Sequence, residues 1–206
     1  MIIFLGLGNV GSEYDRTKHN LGFWVVDELA QRWNLTFRPG KGDYIYAECS
    51  FPEGFVSVGG DPSERIHMPE RTSQLLLAKP TFGMNRSGIP VREIKEFWSL
   101  SLSDLYVIVD DVDLPLGAIR IRPRGGDGCH RGMESIIYSL GSTHFPRIRI
   151  GIGTEEQMRP AEHYVLKPFR KKDESLALEM VKRGADAVES ILSVGLERAM
   201  SRFNRP

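Results

Sequence analysis

Short apolar runs of strand length, set between stretches of helical spacing, constrain the fold of this chain more than any other feature. Ile2-Ile3-Phe4-Leu5, Phe55-Val56-Ser57-Val58, Leu75-Leu76-Leu77-Ala78 and Tyr106-Val107-Ile108-Val109 read as strands, and Tyr44-Ile45-Tyr46-Ala47-Glu48 adds an alternating one. Ile119 and Ile121 alternate with arginines, and Ile148, Ile150 and Ile152 alternate with Arg147, Arg149 and Gly151. Val25, Val26, Leu29, Ala30 and Trp33 mark one face of a helix. Helical spacing returns from Val91 to Trp98, from Met133 to Leu140, and most clearly at Leu178, Val181, Ala185, Val188 and Leu192. Strands interleaved with helices predict an α/β fold, a twisted mixed sheet flanked by helices. No linker or change of composition divides the 206 residues, so a single domain over 1–206 is expected. The polar segment from Gly59 to Ser73 has no period and reads as a long loop or insertion.

A hydrophobic fraction of 41% with 26% charged residues is ordinary for a soluble globular protein and excludes a disordered chain. No apolar run has the length of a membrane span, and Met1-Ile2-Ile3-Phe4 passes into the first strand without a basic region or cleavage site. A cytoplasmic protein with no membrane partner is expected. Cys49 and Cys129 stand far apart with no Cys/His grouping at zinc spacing, which predicts free thiols, no metal and no cofactor. Zero formal charge argues against coating nucleic acid by charge alone, although a neutral total can hide a local basic patch.

Gly6, Gly8 and Gly11 fit G-x-G-x-x-G after a strand, a pattern that can hold a dinucleotide phosphate. Here Ser12 to Lys18 intervene before the helix begins, and the carboxylates about twenty positions on, Asp27 and Glu28, fall inside the first helix. Nucleotide binding is therefore disfavoured.

Tyr14-Asp15-Arg16-Thr17-Lys18-His19-Asn20 sets a histidine at the mouth of the loop between the first strand and first helix, near Asn9. Asp110-Asp111-Val112-Asp113 follows another apolar strand, so Asp110 takes the same kind of position. A carboxylate beside an imidazole orients it and raises its basicity, giving a dyad able to deprotonate water. The bland alternatives are a surface histidine and an acidic capping turn. Asn85 follows a third strand and precedes a helix, where it either holds a peptide or an attacking water, or simply caps the helix. Arg120, Arg122 and Arg124 alternate on a strand before the turn Gly125-Gly126-Asp127-Gly128-Cys129-His130-Arg131-Gly132, and Arg147 and Arg149 add further charge. Arginines around a glycine-rich turn suit a phosphate backbone.

The segments GLGNVGSEYDRTKHNLGFWVVDEL, PTFGMNRSG, DDVDLPLGAIRIR, GGDGCHRGMESI and FPRIRIGIG, in this order and over nearly the whole chain, resemble the bacterial-type peptidyl-tRNA hydrolase family. The C-terminal helices and Arg202-Phe203-Asn204 fit as well. The resemblance implies a peptidyl-tRNA hydrolase-like fold and metal-independent hydrolysis of the ester between a peptide and the terminal ribose of tRNA, which recycles the tRNA. It implies His19 as general base with Asp110 as its partner. Asn9, Asn85, His130 and Arg131 would lie at the substrate, Tyr14 and Met84 would shape the pocket, and Asn20 would support the histidine. Arg120, Arg122 and Arg149 would lie near tRNA phosphates, and peptidyl-tRNA bound by a monomer is the expected partnership. The chain departs from the family pattern at Val10 for proline, Lys18 for arginine, Gly83 for an aromatic residue, Arg131 for the asparagine of His-Asn-Gly, and Glu134 for a basic residue. Asp127 adds negative charge to the turn. These changes predict altered binding with the chemistry retained. The alternative is a non-catalytic RNA-binding protein on the same fold, which Gly83, Arg131 and Glu134 would suit; a small-molecule esterase comes third.

Overall fold

The computed structural model describes residues 1–50, 74–155 and 158–204. The expected strand at 55–58 and the loop at 59–73 lie outside the described residues. Among those described, seven strands form one mixed sheet. Its centre is parallel: β1 (Ile2–Gly6) lies between β4 (Gln74–Pro80) and β5 (Leu105–Pro115), and β5 pairs onward with β7 (Arg147–Gly153). Antiparallel strands close the two sides: β3 (Tyr44–Ser50) against β4 with β2 (Arg38–Pro39) beyond it, and β6 (Ile119–Arg122) against β7. The order is β2-β3-β4-β1-β5-β7-β6.

The parallel strands read as unbroken apolar runs because both of their faces are covered. On one face Phe4, Ile108, Ile148 and Ile150 pack with α1 (Leu21–Arg32), α5 (Glu174–Val194) and α6 (Leu196–Phe203). On the other, Ile3, Leu5, Val107 and Val109 pack with α2 (Gly88–Phe97) and α3 (Arg131–Leu140). Each such side chain, fully buried, stabilises the fold by about 1.5–3 kcal/mol relative to exposure. On α5 the predicted stripe is buried at Val181, Ala185, Val188 and Leu192, but Leu178 is 60% exposed. The buried arc is centred on Ala177, Met180 and Gly184, and Leu178 falls at its margin. At the sheet edge, the Asn204 side chain accepts from Ile121 N at 2.7 Å and donates to Ile121 O at 3.0 Å, satisfying backbone groups that an edge strand leaves open.

Gly6 at the end of β1 and Gly22 in α1 serve packing. A Cβ at Gly6 would stand 2.3 Å from the Gly22 carbonyl oxygen, and one at Gly22 would stand 2.5 Å from the Ile108 carbonyl oxygen. Only glycine at both positions lets the first turn of α1 lie flush on the end of β1 and on β5 at Ile108. That close approach delivers the residues just before α1 to Asp110, in the middle of β5.

Candidate active site

β1 pairs Gly6 with Ile108 and then leaves the sheet, while β5 runs on through Asp110. The space above the end of β1 is filled by the single 3-10 turn Lys18–Asn20 that leads into α1. Its His19 places Nδ1 2.9 Å from Asp110 Oδ1 and 3.1 Å from Oδ2. From the other side, His130 Nε2 lies 3.1 Å from the same Oδ1, and the two imidazole centroids are 4.7 Å apart. Asp110 is only 3% exposed. Burial alone would push its carboxyl up, but the imidazoles of His19 and His130, by charge and by hydrogen bonding, outweigh burial and hold it well below the usual carboxylate range. An anionic Asp110 accepts the His19 Nδ1 proton, which leaves Nε2 as that ring's basic atom. The acidic-turn role falls instead to Asp111, whose Oδ1 accepts from Asp113 N at 2.9 Å.

A second chain of bonds orients the asparagines. Asn20 grips the Asn9 backbone from both sides, Oδ1 accepting from Asn9 N at 2.8 Å and Nδ2 donating to Asn9 O at 2.9 Å. Asn is a favoured helix cap, yet Asn20 makes no side-chain cap at the start of α1, because its amide is engaged here. Asn9 Oδ1 in turn accepts from Met84 N at 2.8 Å, which turns the Asn9 amide so that its Nδ2 is the free end. Asn85 is exposed on the 3-10 turn Met84–Arg86 and lines the same cleft.

The turn before α1 is fastened from below by Lys18, 1% exposed. Lys18 Nζ donates to Pro168 O at 2.8 Å and lies 4.3 Å from the Tyr164 ring centroid, and Thr17 bridges to Pro168. This ties His19 to the segment that carries α4 (Ala161–Val165), one wall of the cleft.

The arginines of β6 and β7 share one face, with Arg120 opposite Arg149 and Arg122 opposite Arg147, but their partners divide them. Arg147 is 2% exposed and donates to the carbonyls of Thr143, Phe145, Gly125 and Gly126 at 2.6–3.2 Å. Burial, with the charge of Arg149 added, pushes its guanidinium down to about 10. It holds the glycine-rich turn and is not an open phosphate contact, a correction to reading all these arginines alike. Arg149 pairs through Nε with Asp111. Asp127 folds the turn, its Oδ1 accepting from Cys129 N at 2.6 Å and its carbonyl accepting from His130 N at 3.1 Å.

A cleft of about 920 Å³ gathers these groups. Of the expected site residues, Asn9, His19, Met84, Asn85, Asp110, Arg122, His130, Arg131 and Arg149 line it. Asn20 acts from behind Asn9. Tyr14 and Arg120 are not in its wall; the Tyr14 carbonyl accepts from Thr17 Oγ1 at 2.8 Å. Val165, Leu166 and Arg124 are among the other residues that line it. Arg124 was visible in the arginine alternation, but a five-residue helix such as α4 has too little period to be found in sequence.

The ligand atoms of His19, Asp110 and His130 lie within 4.8 Å of one another, close enough to suggest a metal centre. His130 does not fit that use. Its Nδ1 accepts the N–H groups of Gly132 and Met133 at 3.1 and 3.3 Å, so the nitrogen facing the cluster carries the ring proton. A metal ion on Nε2 would move that proton to Nδ1 and break the cap of α3.

Comparison with known proteins agrees with this arrangement. Residues 3–206 match the family profile described as peptidyl-tRNA hydrolase. The chain belongs to the peptidyl-tRNA hydrolase family. It is 39% identical over 204 residues to the peptidyl-tRNA hydrolase of Geobacillus thermodenitrificans, covering 99% of this chain and 100% of that one. It is 42% identical over 205 residues to that of Chloroflexus aurantiacus, covering 99% of each. The crystal structure of peptidyl-tRNA hydrolase from Acinetobacter baumannii superposes with a TM-score of 0.81 at 27% identity, over 99% of this chain and 94% of that one.

Of the departures from the family pattern, Arg131 and Glu134 line the cleft, while Lys18 is buried beneath the turn that carries His19. Val10 is exposed. A Cβ at Gly83 would lie 3.7 Å from both Asn9 Oδ1 and Asn85 Oδ1, so glycine leaves uncovered the two asparagines that an aromatic side chain would stand beside. Arg131, at the first position of α3, pairs with Glu134 at 3.2 Å, both exposed. The two substitutions answer each other in charge.

Proposed function

We propose that this chain hydrolyses the ester joining a peptide to the terminal ribose of tRNA, with His19 as general base and Asp110 as its orienting anion. The observation that carries the reading is the His19 Nδ1 contact with buried Asp110, which leaves Nε2 as the basic atom on a cleft-lining ring. His19 Nε2 takes a proton from water as the water oxygen attacks the ester carbonyl. Asn9 Nδ2 and the Asn85 amide donate to the oxyanion that develops, and the imidazolium returns its proton to the departing ribose oxygen. The peptide leaves as a carboxylic acid and the tRNA with a free hydroxyl, without a covalent intermediate. Arg120, Arg122 and Arg149 meet tRNA phosphates outside the chemical step. The protein acts as a cytoplasmic monomer built as a single domain.

Incubation of the purified protein with N-blocked aminoacyl-tRNA, without added metal, tests the reading. The wild type releases the blocked amino acid, and Asp110→Asn lowers kcat by on the order of a hundredfold. Undiminished release by the variant would remove Asp110 from the mechanism.

A further inference from the structure

Both nitrogens of His130, expected from the family resemblance at the substrate, are engaged within the protein. A backbone N–H can only donate, so Nδ1, 3.1 Å from Gly132 N and 3.3 Å from Met133 N, carries the lone pair of the ring. The ring proton is then on Nε2, 3.1 Å from Asp110 Oδ1, the oxygen that also lies 2.9 Å from His19 Nδ1. The imidazole is the N-cap of α3 and, at its opposite end, a donor to the buried carboxylate. Glycine at 132 lets the ring sit this close to the helix start, since a Cβ there would stand 3.1 Å from His130 Cε1, and the His19 ring lies beside it at 4.7 Å between centroids.

We infer that His130 is a positioning residue rather than a substrate contact: the start of α3 fixes its tautomer, and that tautomer holds Asp110 in the orientation that aims His19. The inference rests on the reading of His19 and Asp110 as base and partner. It follows from the bond count, because His130 has no donor or acceptor left for a peptide while both of its bonds are kept. With the His130 bond removed, Asp110 keeps His19 as its side-chain partner and is freer to rotate about its own side-chain axis.

His130→Asn separates the two roles. Asparagine is a good N-cap and keeps α3 capped, but its shorter side chain does not reach Asp110. On N-blocked aminoacyl-tRNA, His130→Asn should lower kcat by roughly tenfold to a hundredfold with KM within about twofold of wild type. A wild-type kcat in this variant, or a raised KM at unchanged kcat, overturns the inference, the latter in favour of a substrate contact. Nitrogen-15 NMR of the imidazoles in the folded wild type reads the tautomer directly. His130 should carry its proton on Nε2, and a proton on Nδ1 overturns the inference whatever the kinetics. Wild-type turnover by His19→Ala would instead defeat the reading of the dyad while leaving the NMR result to stand alone, so the two failures are distinguishable.

Discussion

The middle of β5, at Asp110, and the face of β7 send polar side chains into the same cleft, yet they hold them in different ways. Around Asp110 each group is fixed by another side chain or a helix start, His19 and His130 on the carboxylate and, in a separate set of bonds, Asn20 on Asn9, so the free atoms are few and aimed. On β7 two arginines, two residues apart on one face, diverge: Arg147 is buried among backbone carbonyls, while Arg149 stays partly exposed with Asp111 on one edge. The first region is built for geometry and the second for charge, with Arg147 as the exception that supports the turn between them. Position on a strand face does not decide what an arginine does; the number of buried acceptors around it does.

The largest effect expected from this contrast is on stability. Arg147→Leu should destabilise the protein by about 2–4 kcal/mol, because it leaves several carbonyls without donors, whereas Arg122→Ala should change stability by less than about 0.5 kcal/mol. Urea unfolding of both variants checks it, and equal losses would erase the distinction between support and surface.

Next comes binding. Replacing Arg120, Arg122 and Arg149 together by alanine should weaken tRNA binding and reduce the slope of log K against log salt by roughly two to three, while sparing hydrolysis of a small ester. An unchanged slope would take these arginines off the phosphate path. Since Arg120 is not in the cleft wall, its single variant should have the least effect of the three.

Much of this was legible in sequence because it depends on local pattern. The strand order along the chain, the helical faces, and the placement of His19 between the first strand and the first helix follow from apolar period and from the residue types that break it; Asp110, expected at a strand end, lies inside β5, which runs on to Pro115. What was not legible depends on contacts distant in sequence. The family resemblance gives Asn20 as a support for the histidine, whereas its amide grips the Asn9 backbone, a contact that exists only once the loop after β1 has folded back on the start of α1. His130 is not among the usual capping residues, so nothing marks it as one. Arg147 and Arg149 are identical in pattern and differ only in what the 125–126 turn places above them. Gly6, Gly8 and Gly11 fit a phosphate-binding pattern, but Gly6, together with Gly22 of α1, is required by backbone contact between α1 and the strands.

A smaller effect concerns pH. The Asp110 carboxyl titrates lower in the folded chain than in the unfolded one, so its ionisation favours folding above the unfolded value of about 3.9, and that contribution is lost as pH falls through the folded value. Asp110→Asn should therefore flatten the acid limb of the stability curve, seen as urea midpoints that fall less than the wild type's between about pH 5 and pH 2. A parallel acid limb would mean that the carboxyl is not held low.

The smallest effect expected is at the cleft mouth. Arg131→Asn removes the pair with Glu134 and restores both a donor and an acceptor, and should lower KM for N-blocked aminoacyl-tRNA a few-fold with little change in kcat. A rise in kcat would show that Arg131 displaces the reacting ester, and no change in either constant would show that it points away from the peptide.

The central claim is that chemistry resides around Asp110 on β5 and binding on the arginine face. Single-turnover hydrolysis of N-blocked aminoacyl-tRNA by His19→Ala, with tRNA affinity measured on the same preparation, tests it most directly. The account predicts a loss in rate of on the order of a hundredfold to ten-thousandfold with affinity nearly intact. Hydrolysis at the wild-type rate, or a loss of affinity that accounts for the loss of rate, would contradict it.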